Sequence, residues 1–304
     1  MDLSILIVSW NVADLLADCL DSIRADGLQL EVIVVDSASA DHSVELIRER
    51  YPWVRLFAQD QNIGFTRGNN LALEQAQGRY VLLLNPDTVV HGDALQKMVN
   101  YLDQHPGVGI VGPHVLNEDG STQSTRRRFP TFLTAIFEST WMQGYAPKRL
   151  LDHFYVADQP DDGTFDVDWV QGCALMARRE VYEKIGPLDV GYVMFSEELD
   201  WCKRTKEAGW RVVYVGEAAI THYGGRSTEQ VPTNKHIYFQ QSKIRYFRKF
   251  HGRLAAWSLR LFLVLSYLAQ MAQEGLKALL GSKRAMRKER LRTYGQVVRA
   301  LAGL

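Results

Sequence analysis

The sequence predicts an α/β protein: a mostly parallel sheet with helices on both faces, then a less periodic aromatic-rich region, then helices to the C-terminus. Three observations carry this. Strand-like and helix-like stretches alternate over residues 1–115. The strands read as unbroken apolar runs, Val81–Leu84 most plainly, as strands buried on both faces do. Polar residues stand at the carboxyl ends of several strands, where open α/β sheets bind their ligands. The reading divides the chain at 1–115, 116–235 and 236–304.

The elements follow in order. Leu3–Ser9, Glu31–Asp36, Val54–Ala58, Tyr80–Leu84 and Val108–Val111 are the expected strands. Between them, Ala13–Ala25, Asp41–Arg50, Phe65–Gln75 and Asp93–Gln104 have helical patterns, with Asp41 or Ser39 able to cap the second and Pro106-Gly107 closing the last. Further on, Arg211–Val215 reads as a strand, and from about residue 236 the pattern is helical. The strand ends carry Ser9-Trp10-Asn11, Asp36-Ser37, Asp60 and Asn85-Pro86-Asp87, so polar groups converge on one edge. Asn, Pro and Asp also form plain turns, which is the simpler account of residues 85–87.

With 304 residues and 46% hydrophobic composition, the chain can bury a large core. Thirty-five basic residues balance 35 acidic ones, so overall charge gives no reason to expect a nucleic-acid partner. Three scattered cysteines, Cys19, Cys173 and Cys202, have no metal-type spacing and fit a reducing compartment. "MDLSILIVSW" lacks a basic leader and a small-residue cleavage site, so a cytoplasmic protein is expected. Neither G-x-G-x-x-G nor G-x-x-x-x-G-K-[ST] occurs, so a bound nucleotide must be handled by side-chain carboxylates and a metal.

The pieces "SWN", "VVDSASADHS", "NIGFTRGNN", "LLLNPDT", "WVQGCALMARREVYEKIGPLD", "MFSEELDWCKR" and "THYGGRS" occur in that order across residues 3–228. Together they resemble the inverting family 2 glycosyltransferases with the GT-A fold, closest to the rhamnosyltransferase-like members that build bacterial surface polysaccharides. The resemblance implies a nucleotide-sugar-binding half at 1–115 and an acceptor-binding, catalytic half at 116–235. It further implies transfer of a sugar, L-rhamnose from dTDP-rhamnose being the first choice and UDP-galactose or UDP-GlcNAc the alternatives, to a lipid-linked or polysaccharide acceptor.

Residue by residue, the resemblance sets Asp87 at the last position of a D-x-D-type motif whose first place is Asn85. Asp87 then becomes a ligand of Mg²⁺ or Mn²⁺, and Asn85 is left to touch the ribose or order a metal-bound water. Asp36 is expected at the nucleobase or ribose, its other reading being a helix cap, with Asp60 a weaker candidate of the same kind. Gly64 permits a tight helix entry, and Asn69 and Asn70 are either packing polars or sugar contacts. His222 is expected to complete the metal site, with imidazole plus carboxylate favouring Mn²⁺. Arg226 either reaches a phosphate oxygen or is a solvated loop charge. Glu198 occupies the place of the base that takes the acceptor proton, where relatives usually have Asp. Glu197 and Asp200 flank it, and all three acids also suit a helix N-terminus. Trp169, Trp201 and Tyr192 are candidate walls for a sugar ring, though large aromatics are core by default.

In the tail, Arg260 is the only charge in Leu254–Gln273, and seven Lys/Arg face the single Glu289 over residues 283–299. A spanning helix needs about 20 apolar residues. Leu261–Gln273 is shorter, and Ser266 and Gln270 interrupt it. The expectation is a helix lying in the inner membrane surface with Lys283–Arg292 at the headgroups, the alternative being a helix packed on the domain or on a partner chain. A homo-oligomer is left open. A sugar nucleotidyltransferase is disfavoured because "VSWNVADLL" lacks a Gly- and Arg-rich loop. A non-catalytic scaffold would need none of Asp36, Asp87, Glu198 and His222.

Overall fold

A computed structural model describes residues 1–225, 232–281 and 283–303. The sheet-forming strands are β1 (Leu3–Ser9), β2 (Leu30–Asp36), β3 (Arg55–Ala58), β4 (Tyr80–Leu84), β5 (Thr88–Val90), β6 (Val108–Leu116), β8 (Thr164–Val167), β10 (Ala174–Arg178) and β11 (Arg211–His222), while β7 (Arg126–Arg127) pairs with β9 (Trp169–Val170). The main sheet has nine strands in the order β3-β2-β1-β4-β10-β6-β11-β5, with β8 beside β11. β3, β2, β1 and β4 are parallel neighbours. β10 runs antiparallel between β4 and β6, and β11 is parallel to β6 but antiparallel to β5 and β8.

Helices cover both faces. The alternation of buried side chains along the strands shows why. Leu3, Ile5 and Ile7 of β1 and Val32 and Val34 of β2 join one core cluster. That cluster includes Leu16 and Leu20 of α1 (Ala13–Ser22), and Met98 and Leu102 of α4 (Ala94–Gln104). Leu6, Ile33, Val35, Val81 and Leu83 face the other way, with Ala72 and Leu73 of α3 (Phe65–Gln75) and Trp201 of α8 (Glu197–Glu207). Each such aliphatic side chain removed from water contributes about 1.5–3 kcal/mol. α3 approaches β1 closely because Gly68 has no side chain: a Cβ there would lie 2.8 Å from Val8 Cγ1. The remaining elements of this region are α2 (Ser43–Arg50), α6 (Lys148–Phe154) and α7 (Arg179–Ile185).

The expected boundary at residue 115 falls inside β6. β10 and β11, assigned by sequence order to a second part, complete the sheet begun by the first. By contact, one compact unit gathers Met1–Phe129, Pro147–Val193 and the chain from Glu197 through β11. The other gathers Pro130–Ala146, Met194–Ser196 and the C-terminal helices.

In the second unit, α5 (Phe132–Phe137) precedes α9 (Pro232–Phe250), α10 (Gly252–Leu279) and α11 (Arg284–Ala302). Lys243 of α9 is buried and donates to Glu138 O at 3.0 Å, with Glu138 Oε2 at 3.4 Å. Glu274 of α10 pairs with Arg287 at 2.7 Å and Arg290 at 3.5 Å, closing the α10–α11 hairpin. Ser266, which seemed to interrupt an apolar run, faces inward and accepts from Trp141 Nε1 at 2.8 Å. The opposite face of α10 presents Leu254, Trp257, Leu261, Leu265, Leu268, Leu276 and Leu279 to solvent. By length and composition α10 could cross a membrane.

Candidate active site

β4 delivers Asn85 to the sheet edge, where Asn85 N donates to Cys173 O at 2.9 Å and so prolongs the pairing with β10. Thr88 Oγ1 bonds back to Asn85 O at 2.7 Å, closing the turn over Pro86 and Asp87. Cys19 of α1 supports that turn from beneath, 3.5 Å from Thr88 Oγ1. The chain then forms β5, which pairs antiparallel with the end of β11 so that His222 lies opposite Thr88. Tyr223 N donates to Asp87 O at 2.9 Å. The sequence reading ended this strand at Val215. Instead the strand continues through a register shift between Val215 and Ala219 and holds His222 as its last residue.

The result is a tight polar cluster. His222 Nε2 is 3.3 Å from Asp87 Oδ1 and 3.2 Å from Asn85 Nδ2. Its other nitrogen, Nδ1, is 2.7 Å from Gln123 Oε1. Asp87 is only 5% exposed. Asn85 Oδ1 is buried and has no hydrogen-bond partner among the described residues. Two cis ligands on an ion with bonds of about 2.1 Å stand about 3 Å apart, so Asp87 and His222 are spaced to share one divalent cation. No cluster of three or more His, Cys, Asp or Glu side chains suited to a metal occurs among the described residues. Gly224 and Gly225 follow with φ of +74° and +69°, a left-handed pair that glycine adopts freely. Arg226 lies outside the described residues.

Glu198 stands in the first turn of α8, half-buried. It packs over Gly172, where an added Cβ would meet Glu198 Cβ at 3.5 Å and Cδ at 3.8 Å. Beside Gly172, the Cys173 thiol is pushed up to about 12 by burial and then by the charges of Asp87 and Glu198. Cys173 therefore feels both carboxylates, and it keeps its proton at neutral pH. Phe195 and Ser196 precede the helix with φ of +69° and +65°, so Ser196 lacks the extended conformation usual for an N-cap.

The neighbouring acids have other surroundings. Glu197 is buried, and burial first and the Glu198 charge second raise its pKa well above the carboxylate range. Its Oε2 has no hydrogen-bond partner among the described residues. Asp200 is completely buried, with Arg204 Nε at 2.6 Å from Oδ1 and Tyr192 OH at 3.3 Å from Oδ2. Arg204 also donates to the carbonyls of Ile185, Gly186 and Pro187. Asp200 is thus an anchor of the α8 core, which corrects its reading as an acceptor contact or rival base. Trp201 and Tyr192 are corrected likewise. Trp201 is 0% exposed with Nε1 on Gly186 O at 3.1 Å, and Tyr192 is 1% exposed, so neither can wall a sugar. Trp169 is half-buried in β9, and its Nε1 donates to Arg128 O at 3.0 Å.

Asp36 is buried at the end of β2, where Oδ1 accepts from Ser39 N at 2.9 Å and Oδ2 from Ser39 Oγ at 2.5 Å. It shapes a tight turn rather than capping α2. Ser39 Oγ accepts in turn from Asn11 N at 2.9 Å, joining the ends of β1 and β2. Asp41 bonds Ser43 N at 3.1 Å and Ala13 N at 3.0 Å, serving the first residues of both α2 and α1. Asp60 is exposed after β3. Asn69 bonds Phe65 O, and Asn70 clamps both backbone groups of Leu188, so both are packing polars. Gln123 is the residue that sequence reasoning missed. It lies in an irregular stretch with no periodicity to mark it.

Known proteins bear on this geometry. The family model described as "Glycosyl transferase family 2" matches residues 4–186. The chain is similar to the N-acetylglucosaminyl-diphospho-decaprenol L-rhamnosyltransferase of Mycobacterium tuberculosis (strain CDC 1551 / Oshkosh), with 24% identity over 216 residues covering 67% of this chain and 70% of that protein. It is also similar to Rhamnosyltransferase WbbL of Escherichia coli (strain K12), with 24% identity over 250 residues covering 80% of this chain and 91% of the other. Among solved structures, the mannosyltransferase PcManGT from Pyrobaculum calidifontis, in complex with GDP-Man and Mn²⁺, superposes with a TM-score of 0.57 at 18% identity, covering 99% of this chain and 85% of that one. The sheet order and these neighbours are those of the GT-A fold. The chain is a rhamnosyltransferase-like glycosyltransferase and belongs to glycosyl transferase family 2.

Proposed function

We propose that this glycosyltransferase is inverting and metal-dependent, moving L-rhamnose from dTDP-rhamnose to a lipid-linked or polysaccharide acceptor in bacterial surface glycan synthesis. The observation that carries the metal-dependent reading is the 3.3 Å pairing of His222 Nε2 with Asp87 Oδ1, beside the orphaned Asn85 Oδ1. Asp87 and His222 would hold the ion, with Mn²⁺ suiting an imidazole-carboxylate pair better than Mg²⁺. When bound, a divalent cation supplies positive charge for the departing diphosphate.

The chain's own residues supply the rest. Glu198 takes the proton of the acceptor hydroxyl as that oxygen bonds to the anomeric carbon. The bond to the diphosphate breaks on the opposite side, so one displacement inverts the centre and no enzyme nucleophile is used. Cys173, the nearby thiol, keeps its proton and takes no part as a nucleophile. Asp36 and the turn it shapes, with Asp60 beyond β3, would form the nucleoside side of the site, and Asn85 would meet the ribose or order a water at the ion.

The rhamnosyl donor and lipid-linked acceptor rest on the relatives' names. α10 supports a lipid-side acceptor. Its exposed apolar stripe runs from Leu254 to Leu279, about 38 Å at 1.5 Å per residue. Its other face is packed and carries the paired Glu274, so the helix is read as lying in one leaflet of the inner membrane's cytoplasmic face rather than crossing it. The basic residues of α11 would sit at anionic headgroups.

The test is a panel of nucleotide sugars assayed for binding and slow hydrolysis without acceptor, with Mn²⁺, Mg²⁺ or excess chelator. dTDP-rhamnose should turn over only with metal, and Asp87→Ala should abolish that turnover. Full turnover in chelator would remove the metal, and preference for UDP-galactose or UDP-GlcNAc would replace the donor. Binding with no turnover of any donor, even with acceptor added, would support a scaffold.

A further inference from the structure

We infer that Gln123 is a positioning residue that fixes the tautomer of His222 and thereby aims the Nε2 lone pair at Asp87. The inference rests on the reading of Asp87 and His222 as metal ligands, but the hydrogen-bond network supports the tautomer by itself. Gln123 Nε2 lies 3.3 Å from the backbone carbonyl of His222, a group that can only accept, and 2.9 Å from Asn117 Oδ1. Asn117 is oriented in turn by its own Nδ2, which donates to Ser121 Oγ at 2.9 Å. The amide end of Gln123 is therefore committed to donation, and its Oε1 must face the imidazole. Oε1 is an acceptor, so the Nδ1 it meets at 2.7 Å must carry the ring proton. Nε2 is left with a lone pair, directed at Asn85 Nδ2 and Asp87 Oδ1.

Two acceptors compete for the single ring proton of neutral His222. Gln123 Oε1 is 2.7 Å from one nitrogen, and Asp87 Oδ1 is 3.3 Å from the other. With Gln123 present, the shorter contact holds the proton on Nδ1. Without it, the Asp87 carboxylate draws the proton to Nε2. His222 then donates to Asp87, and its protonated Nε2 has no lone pair to offer a cation at their shared edge.

The experiment uses full-length protein labelled with ¹⁵N at histidine, without metal, at a pH where the ring is neutral. The ¹⁵N shifts of His222, assigned by their loss in His222→Asn, report which nitrogen is protonated. Mn²⁺ affinity is measured in parallel with and without a nucleoside diphosphate. Wild type should show Nδ1–H, and Gln123→Met should shift toward Nε2–H and bind Mn²⁺ about 10–100-fold more weakly. Gln123→Glu, which keeps an acceptor at Nδ1, should retain the wild-type tautomer. Nε2–H in the wild type would overturn the inference even if Gln123→Met fails to fold, and so would an unchanged tautomer in Gln123→Met. Absence of Mn²⁺ binding by wild type, with the tautomers as expected, would instead overturn the metal reading and leave the role of Gln123 in setting the ring proton standing.

Discussion

Replacing Arg204 with methionine removes the countercharge of a carboxylate that water does not reach. Asp200 has 0% side-chain exposure and Arg204 18%, with 2.6 Å between Nε and Oδ1. Methionine keeps most of the length of the side chain, so the change is mainly electrostatic. Breaking a buried pair from one side costs about 3–5 kcal/mol, because the remaining charge is stranded. The Ile185, Gly186 and Pro187 carbonyls lose a donor too, but the partial exposure of Arg204 allows water to replace some of those bonds. The expected loss therefore stays within about 3–5 kcal/mol, two to three and a half powers of ten in the unfolding equilibrium. The assay is urea unfolding, read as a lower midpoint at constant slope. Asp200→Asn should lose less, and the double variant should recover part of the deficit, since its single effects share one interaction. Donor turnover per folded molecule should survive in Asp200→Asn. An Arg204→Met midpoint within about 1 kcal/mol of wild type would refute the structural role. So would wild-type stability in Asp200→Asn together with collapsed transfer, which would return Asp200 to the reaction.

Three further outcomes are expected. Glu198→Gln should keep donor binding while transfer falls by about 10²–10⁴-fold, whereas Glu197→Gln should keep transfer. Because the folded pKa of Glu197 is raised above its ordinary 4.5, folding becomes less favourable as pH rises past that value. Glu197→Gln should therefore be more stable than wild type at neutral pH and converge with it below about pH 4, as read from urea midpoints across pH. Leu261→Asp with Leu265→Asp should release the protein from anionic vesicles in co-sedimentation, since each leucine withdrawn from lipid forfeits about 1.5–3 kcal/mol. Unchanged sedimentation, or a wild type that ignores vesicles and dimerises through this face, would defeat the membrane reading.

The N-terminal α/β order was legible because buried parallel strands leave a local signature. β1, β4 and α3 have the bounds that their apolar patterns predict. Three features escaped for physical reasons. β5 is only three residues long and exists because β11 pairs with it. β11 was cut short at Gly216, which interrupts the apolar run but is needed there, since an added Cβ would lie 2.3 Å from the Asp162 carbonyl carbon. Gln123 acts on a residue 99 positions away, a juxtaposition that no local pattern encodes. Trp201 and Asp200 were misplaced because the resemblance assigns a function to their motif as a whole, while these two side chains point into the core.

Helix geometry explains how one short acidic run can hold both an anchor and the proposed base. Successive residues of an α-helix turn by about 100°, so Glu198 and Asp200 project about 200° apart, on nearly opposite sides of α8. Asp200 is fixed inward by Arg204 and Tyr192. That contact sets the rotation of the helix and turns Glu198 toward Gly172 and Cys173. Glu197, about 100° from Glu198 and about 60° from Asp200, is left in the buried wall, where burial first and the Glu198 charge second raise its pKa. The roles cannot be exchanged without rotating the helix and stranding the Asp200 carboxylate. The same arrangement bears on the glutamate at 198, one methylene longer than the aspartate that the family resemblance leads one to expect there. Its Cβ, Cγ and Cδ lie 3.5, 3.7 and 3.8 Å from the position of a Gly172 Cβ. A glycine there leaves room for the longer side chain to lie flat against the β9–β10 connection, with the Cys173 thiol beside it. On the reading of Glu198 as base, its reach is set as much by the missing side chain of Gly172 as by its own length. Gly172 and Glu198 therefore act as one unit in positioning the carboxylate.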